Sequence, residues 1–558
     1  MSVRSGSLAV LVVMVALVAC TKQGVGAAVG PPADVKLQAA QAGPSGPGVP
    51  ALFASIPADT PYLVASLEAA PPELWEKMKQ SFKPMIDIVA AKWQEQRGKG
   101  AVSAAVLSEM AGKWSDAGLE SLGFSAQPRF AIYGLGLQPV VIRMAIKDGK
   151  AVRATIERIA AKAGAQLPPA RTRGGRSYWQ DTGRDGTGIV VSIDDRELIA
   201  AVGKPRDIEA KLDLILGLQK PARNMADGAL VQQLMARHGF RGQLIGFADT
   251  RQLAGKAIEA VGATPSPACA GELDRLSAKL PRLVIGYSEL SGSRIAGSLV
   301  VEMSPDLVAE MRALKTEVPG LGAAMSGHPI MAFAAGVNII RAQQLGIAAA
   351  ASLRQLGEAC GLGSLVNGTA QIVRTLSRPL PDLIGQISGG AVVVDDIVLR
   401  AGGHSSTPER IEGVLLIASP DARALFGKAL EMQPMVKALG IEVDGKLHGL
   451  PMPVPIFSAP AVGVSDRVIV VTAGDRQRGA GDKLIAARAG DRAPLFAASY
   501  DFRKIMDFTA QTGELDREAR DPEFRAVMAT FKDAFGNFSS TLDVTDHGLA
   551  LWSSIELK

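Results

Sequence analysis

The sequence predicts an α+β protein of two tandem pseudo-repeats, each a mainly antiparallel sheet packed with helices. Three observations support this prediction. Short apolar runs of strand length are separated by turn residues, segments with helical spacing lie between them, and pairs of similar segments recur in the same order in two halves of the chain. The first repeat is predicted over residues 51–320 and the second over residues 326–558.

The strand prediction rests on β-branched or alternating runs of six to eight residues. VVIRMAI at 140–146, ELIAAV at 197–202, QLIGFA at 243–248 and LVIGYSEL at 283–290 are bounded by turn sequences such as KDGK and GRDGTG. Short glycine-containing turns favour antiparallel pairing. Between the strands, residues 71–93 place Leu74, Met78 and Phe82 on one helical face, with Pro72 suited to the first turn.

The repeat prediction rests on five matched segments whose offsets fall into two classes. The pairs are TPYLVASL with HPIMAFAA at an offset of 268, VVIRMAIKDGKAVRATI with IEGVLLIASPDARALF at 270, DRELIAAVG with DRVIVVTAG at 271, Asp249 with Asp501 at 252, and Met303 with Leu557 at 254. The step from 271 to 252 places one 19-residue length difference between Gly203 and Asp249. A single duplication with one length change accounts for all five pairs.

The N-terminus predicts export and lipidation. Arg4 precedes LAVLVVMVALVA, an apolar run of 12 residues that is too short to span a bilayer, and Cys20 follows it. The stretch from Leu17 to Cys20 resembles the lipobox of bacterial lipoproteins. That resemblance implies removal of a signal peptide at residues 1–19 and acylation of Cys20, and two or more acyl chains anchor a protein stably. The alternative is an ordinary secretory leader with a cysteine near the cleavage site.

Composition and charge predict a globular exported body. The chain is 47% hydrophobic and 21% charged, and its 60 basic and 55 acidic residues give a formal charge of +5. The sequence has no run of five or six like charges, so nucleic acid is not an expected partner. Residues 20–50 contain the lipidated cysteine and a Gly-, Ala- and Pro-rich stretch, predicted to be a flexible linker.

Catalytic and metal-binding motifs are not evident in the sequence. Asp249 and Asp501 each follow a strand and precede a helical pattern, where a carboxylate caps a helix. His404 lies in GGHSSTPER, interpreted as a polar hairpin tip, and no histidine has the spacing of a known metal motif. G-x-S-x-G and phosphate-binding glycine loops are also missing from the sequence. We therefore expect no catalytic residue, metal or cofactor.

Two cysteines remain after Cys20, namely Cys269 and Cys360, 91 positions apart. An even number of cysteines in an exported protein favours a disulfide between them. Two buried free thiols are the alternative.

The phrase IPADTPYLVASLE, from Ile56 to Glu68, resembles the start of the mature part of uncharacterised exported lipoproteins of Gram-negative bacteria. This resemblance implies no activity, cofactor or site residue. Thr21 instead of Asp after Cys20 implies anchoring in the outer membrane, at its periplasmic face or the cell surface. The expected role is non-enzymatic binding or scaffolding. One alternative is a carrier or sensor for an apolar envelope ligand in a groove between the repeats, and a hydrolase is a further alternative.

Overall fold

The computed structural model describes residues 49–95, 101–183, 185–260, 266–400, 407–432, 437, 440–450, 454, 456–488, 492–511 and 522–558. The leader, Cys20, most of the linker and His404 lie outside these residues. The chain divides into two compact units. Of the described residues, the first unit contains those up to 260 and Arg282–Gly297, and the second contains residues 266–281 and Ser298–Lys558.

The first unit mixes helices with antiparallel strands, as α+β predicts. Its strands are β1 (Tyr62–Ser66), β2 (Phe130–Gly134), β3 (Val140–Ala145), β4 (Arg171–Arg173), β5 (Arg176–Thr182), β6 (Gly188–Ile193), β7 (Glu197–Gly203), β8 (Ile245–Asp249), β9 (Arg282–Leu290) and the start of β10 (Arg294–Glu302). Their spatial order is β4-β5-β6-β7-β3-β2-β1-β8-β9-β10. Every predicted strand run therefore coincides with a strand.

The helices of the first unit are distributed between its strands, except for one at the start. They are α1 (Val49–Phe53), α2 (Pro72–Glu95), α3 (Ala101–Met110), α4 (Asp116–Ser121), α5 (Gly149–Lys162), α6 (Pro205–Ala210), α7 (Leu212–Ile215), α8 (Leu230–His238) and α9 (Thr250–Ala260). The predicted helix at 71–93 corresponds to α2. Ala105 and Val106 of α3 and three residues of α5 form a core with β2, β3 and β5–β7.

The second unit has the same mixture of elements. Its strands are β11 (Met331–Gly336), β12 (Gly389–Arg400), β13 (Thr407–Ala418), β14 (Leu447–Gly449), β15 (Ala461–Val464), β16 (Val468–Ala473), β17 (Phe496–Asp501), β18 (Phe535–Val544) and β19 (Gly548–Leu557). Antiparallel pairing gives the order β14-β15-β16-β13-β12-β11-β17-β18-β19.

Helices of the second unit pack on both faces of its sheet, but on one of the two faces they cover only some of the strands. They are α10 (Pro267–Lys279), α11 (Pro305–Arg312), α12 (Leu321–Ala324), α13 (Ile339–Ala359), α14 (Gly363–Leu376), α15 (Asp382–Gly385), α16 (Ala422–Met432), α17 (Asp475–Ile485), α18 (Phe502–Gln511) and α19 (Pro522–Ala534). α12 and α17 cover one face of β11–β13 and β16. α16 covers the other face near β15 and β16.

Membrane crossing by a helix finds no support in the described residues. None of the helices there combines the length and the apolar character that a bilayer requires.

Candidate binding surface

Asp249 and Asp501 cap helices, as the sequence predicts. The backbone N–H of Gln252 donates to Asp249 Oδ1 at 3.0 Å, and that of Lys504 donates to Asp501 Oδ1 at 3.1 Å. Each carboxylate thus satisfies an amide that the first turn leaves without an intrahelical partner. The cap prediction is confirmed, and the position of each aspartate needs no catalytic explanation.

One cluster of potential metal ligands was missed by sequence reasoning. Single donor atoms from Glu442, Asp444 and His448 lie within 4.8 Å of one another. His448 Nε2 and Asp444 Oδ1 are 2.7 Å apart, and this hydrogen bond is the main reason that the pKa of Asp444 lies below its ordinary value. The acids precede His448 by four and six positions across a turn at Gly445, a spacing that matches no metal motif. A hydrogen-bonded pair accounts for this geometry without a metal.

Cys269 and Cys360 are joined by a disulfide with an S–S distance of 2.04 Å. Cys269 lies in the first turn of α10, where its backbone N–H donates to the Ser266 hydroxyl, and Cys360 is the C-cap of α13. Both cysteines belong to the second unit. The bond therefore ties two helices of one unit together, although Cys269 lies in the range predicted for the first repeat (51–320) and Cys360 in that predicted for the second (326–558).

The most perturbed carboxylate belongs to a structural ion cluster. Burial alone would raise the pKa of Glu109, but hydrogen bonds from Lys162, Lys113 and Arg158 outweigh it and lower that pKa to about 2. The distances from these cations to Glu109 are 2.7, 3.0 and 2.7 Å. Glu109 is a lone carboxylate permanently ionised at neutral pH, which suits it to holding α3 against α5 and not to proton transfer.

Among the described residues, the strongest candidate for a binding site is an exposed apolar area on the sheet of the second unit. Phe333 pairs with Val392, and Val392 pairs with Leu415, so the three form one row across β11, β12 and β13. They are 45%, 46% and 36% exposed, respectively. Their strand neighbours Ala332, Val393 and Leu416, which point to the opposite face, are buried. We call the side that bears Phe333, Val392 and Leu415 the open face.

The open face carries no charged side chain over its central strands. Adjacent positions with the same orientation are Met331 and Ala335 in β11, Gly390 and Val394 in β12, Gly413 and Ile417 in β13, and Phe496, Ala498 and Tyr500 in β17. Burial raises the pKa of Tyr500 to about 12, so its phenol is neutral. The sequence pattern did not reveal the open face, because both faces of these strands are apolar.

The comparisons with known proteins add no relative. No protein-family model, curated protein or solved structure matches this chain.

Proposed function

We propose that this chain is a lipid-anchored, non-enzymatic protein of the cell envelope, built from a duplicated α+β unit, that binds an apolar ligand on the open face of its second unit. The observation that carries the binding role is the exposed row formed by Phe333, Val392 and Leu415. Exposed contiguous apolar areas on water-soluble domains are typical of binding sites.

The strand orders of the two units support the duplication. The neighbouring strands of the first unit follow the order β5-β6-β7-β3-β2-β1-β8-β9-β10. Those of the second unit follow the order β14-β15-β16-β13-β12-β11-β17-β18-β19. When the strands are matched by their order along the chain, the two spatial orders are the same. Only β4 lacks a counterpart among the described strands. Nine strands in one non-sequential order are difficult to explain by chance.

Equivalent backbone hydrogen bonds also recur in the two units. The pairs are Gly149 N to Asp195 O (3.2 Å) with Ala422 N to Asp466 O (2.9 Å), Ile146 N to Arg196 O (2.9 Å) with Ser419 N to Arg467 O (3.0 Å), and Ser291 N to Arg294 O (2.8 Å) with Thr545 N to Gly548 O (2.8 Å). The first two pairs give an offset of 273 for β3 and α5, so the sequence match at 270 was three residues out of register. Asp148 and Asp421, which cap α5 and α16, match at the same offset.

The first unit shows what covers the matching surface there. Val64, Ile132 and Ile142 form the row equivalent to that of the open face, and all three are half-buried. Ile132 and Ile142 pack against the core that includes Ala105 and Val106 of α3. In the second unit, α13 and α14 instead pack on each other, and α13 also packs on α10.

The exposed row is costly unless something binds it. Burying a Phe, Leu or Val side chain stabilises a protein by about 1.5–3 kcal/mol relative to leaving it in water. An uncharged face imposes no desolvation of ions on an incoming hydrocarbon, which favours an apolar ligand. This supports the carrier or sensor hypothesis, with the ligand on the open face of the second unit and not in a groove between the repeats as expected from the sequence.

A leucine-to-aspartate pair tests the open face. We expect the parent to bind an apolar fluorescent probe, 1-N-phenylnaphthylamine, and Leu415→Asp to weaken that binding by at least about fivefold, because a carboxylate resists transfer to an apolar site. Leu218→Asp is the matched control, since Leu218 is 38% exposed in the first unit. Equal affinities for the two variants would contradict the proposal, and a parent that self-associates through Leu415 without binding the probe would favour scaffolding.

The lipid anchor is tested separately. Growth with an alkyne-bearing palmitate analogue should label the parent and leave Cys20→Ser unlabelled, since the thiol of Cys20 is the proposed acylation site. The labelled protein should fractionate with the outer membrane. Equal labelling of parent and variant would refute the anchor while leaving the binding proposal intact.

A further inference from the structure

A second polar cluster lies on the opposite face of the second unit, where β12 and β13 pass α17. Glu412 of β13 is only 9% exposed and Gln477 of α17 only 7%. The register between β12 and β13 shifts between Val394 and Asp396, which leaves Asp395 as the extra residue of a bulge. Bulges redirect a side chain away from the regular alternation of a strand, and here Asp395 meets Gln477.

The amide of Gln477 contacts one carboxylate and borders the same space as a second. Its Nε2 donates to Asp395 Oδ2 at 3.2 Å, while its buried Oε1 accepts no hydrogen bond from the described residues. A methyl group added at Gly474 would lie 2.4 Å from Gln477 Oε1 and 3.1 Å from Glu412 Cδ, so both groups border the same small space. An amide has one donor end and one acceptor end. With its donor end on Asp395, its acceptor end borders the space that the Glu412 carboxyl group also borders.

The ion pairs formed by the described residues bring little positive charge to Asp395 and Glu412. Arg410 reaches Glu412 Oε1 at 3.4 Å and Asp396 Oδ2 at 3.3 Å, but its side chain is 45% exposed. Arg410 therefore approaches Glu412 from the solvent side, and its charge is shared between Glu412 and Asp396. No ion pair is recorded for Asp395 among the described residues.

We propose that Asp395, Glu412 and Gln477 bind a hard divalent cation, with Ca²⁺ the best match. Carboxylate and amide oxygens are the ligands that Ca²⁺ takes, and it tolerates irregular geometry and added water better than Mg²⁺ does. The cation supplies the positive partner that Gln477 Oε1 lacks and offsets the charges of the buried Glu412 and the half-buried Asp395. The site is independent of the open face and of the lipid anchor.

The first unit lacks this arrangement at the equivalent positions. The offset of 273 matches Glu412 with Pro139, and the offset of 271 matches Gln477 with Arg206 and Gly474 with Gly203. A methyl group added at Gly203 would lie 2.9 and 3.0 Å from two carbon atoms of Pro139. An apolar ring thus fills the space that the acids border in the second unit. The cation site is specific to that unit, and the predicted stoichiometry is one ion per chain at this position.

Calorimetric titration of the chelator-treated full chain with Ca²⁺ tests the site. The parent should bind Ca²⁺, and Glu412→Gln should weaken that binding by about tenfold or more, because a charged ligand is lost. Asp444→Asn is the matched control, since it alters the other cluster of potential ligands, Glu442, Asp444 and His448. It should leave the affinity of this site within about twofold of the parent value.

A gain-of-affinity variant guards against misfolding of Glu412→Gln. Gln477→Glu converts the orphaned oxygen into a charged ligand, so it should tighten Ca²⁺ binding by about tenfold and make thermal stability more dependent on Ca²⁺. Any of three results would overturn the proposal. The parent protein does not bind Ca²⁺; binding is lost in Asp444→Asn but kept in Glu412→Gln; or Gln477→Glu binds Ca²⁺ no more tightly than the parent does.

Discussion

Arg143 is the largest fully buried side chain of the first unit, and its charge is fully partnered. Its Nε donates to the Tyr133 hydroxyl at 3.1 Å, Nη1 lies 2.8 Å from Glu197 Oε1, and Nη2 donates to Ile215 O at 2.9 Å. Burial opposes its charge, but Tyr133 and Glu197 raise the pKa of Arg143 above its ordinary value. At the matching positions the second unit has Val393, Leu416 and Val468, all buried.

The ionic set of the first unit and the apolar set of the second suggest an experiment in which the first is replaced by the second. Arg143→Leu should lower the unfolding free energy of the first unit by about 3–5 kcal/mol, because Glu197 is left without its main partner. Adding Glu197→Val should restore most of that loss, because the second unit packs the equivalent Leu416 and Val468 in one apolar core. Urea denaturation measures both effects. A single variant within about 1 kcal/mol of the parent would contradict this prediction.

At the scale of helices and strands, the two aspartate caps are the features that the sequence predicted best. Asp501→Ala should lower the stability of the second unit by about 1 kcal/mol, because the Lys504 amide loses its acceptor. Asp501→Asn should retain most of the cap and acts as the control. Thermal unfolding monitored by circular dichroism measures the difference. Equal losses in the two variants would show that charge, and not the hydrogen bond, stabilises α18.

Sequence reasoning worked for features with short-range causes and failed for those set by packing. Strand runs such as 140–146, the helix at 71–93 and the caps follow from local patterns. The open face does not, because it depends on where α13 and α14 pack. Likewise, Asp395 and Gln477 lie 82 positions apart and meet only through a bulge and a helix start. No local pattern connects them.

At the scale of the whole molecule, the chain's compact units do not follow its linear order. Residues 266–281, including α10, belong to the second unit, although Arg282–Gly297 returns to the first. The disulfide between Cys269 and Cys360 links this segment, residues 266–281, to the end of α13. The second unit therefore depends on a segment that precedes its main sequence.

Removal of this bond should affect the second unit most. The double variant Cys269→Ser/Cys360→Ser should lose about 4–5 kcal/mol of unfolding free energy in the chain-entropy model, because the bond closes a loop with a sequence separation of 91. The unfolded parent should show no free thiol at either position before reduction, as measured by alkylation and mass spectrometry. Two alkylated thiols in the unreduced protein would show that the bond does not form.

The contrast between Arg143 and Leu416 limits how the two units can evolve. On the duplication proposed above, recombination that exchanged a single strand between the two units would transfer one member of the Arg143, Tyr133 and Glu197 set without the others. A lone guanidinium or carboxylate would then lie in an apolar interior, and such a chimera would be unstable. Gene conversion between the two units would therefore be disfavoured, and their sequences could diverge independently.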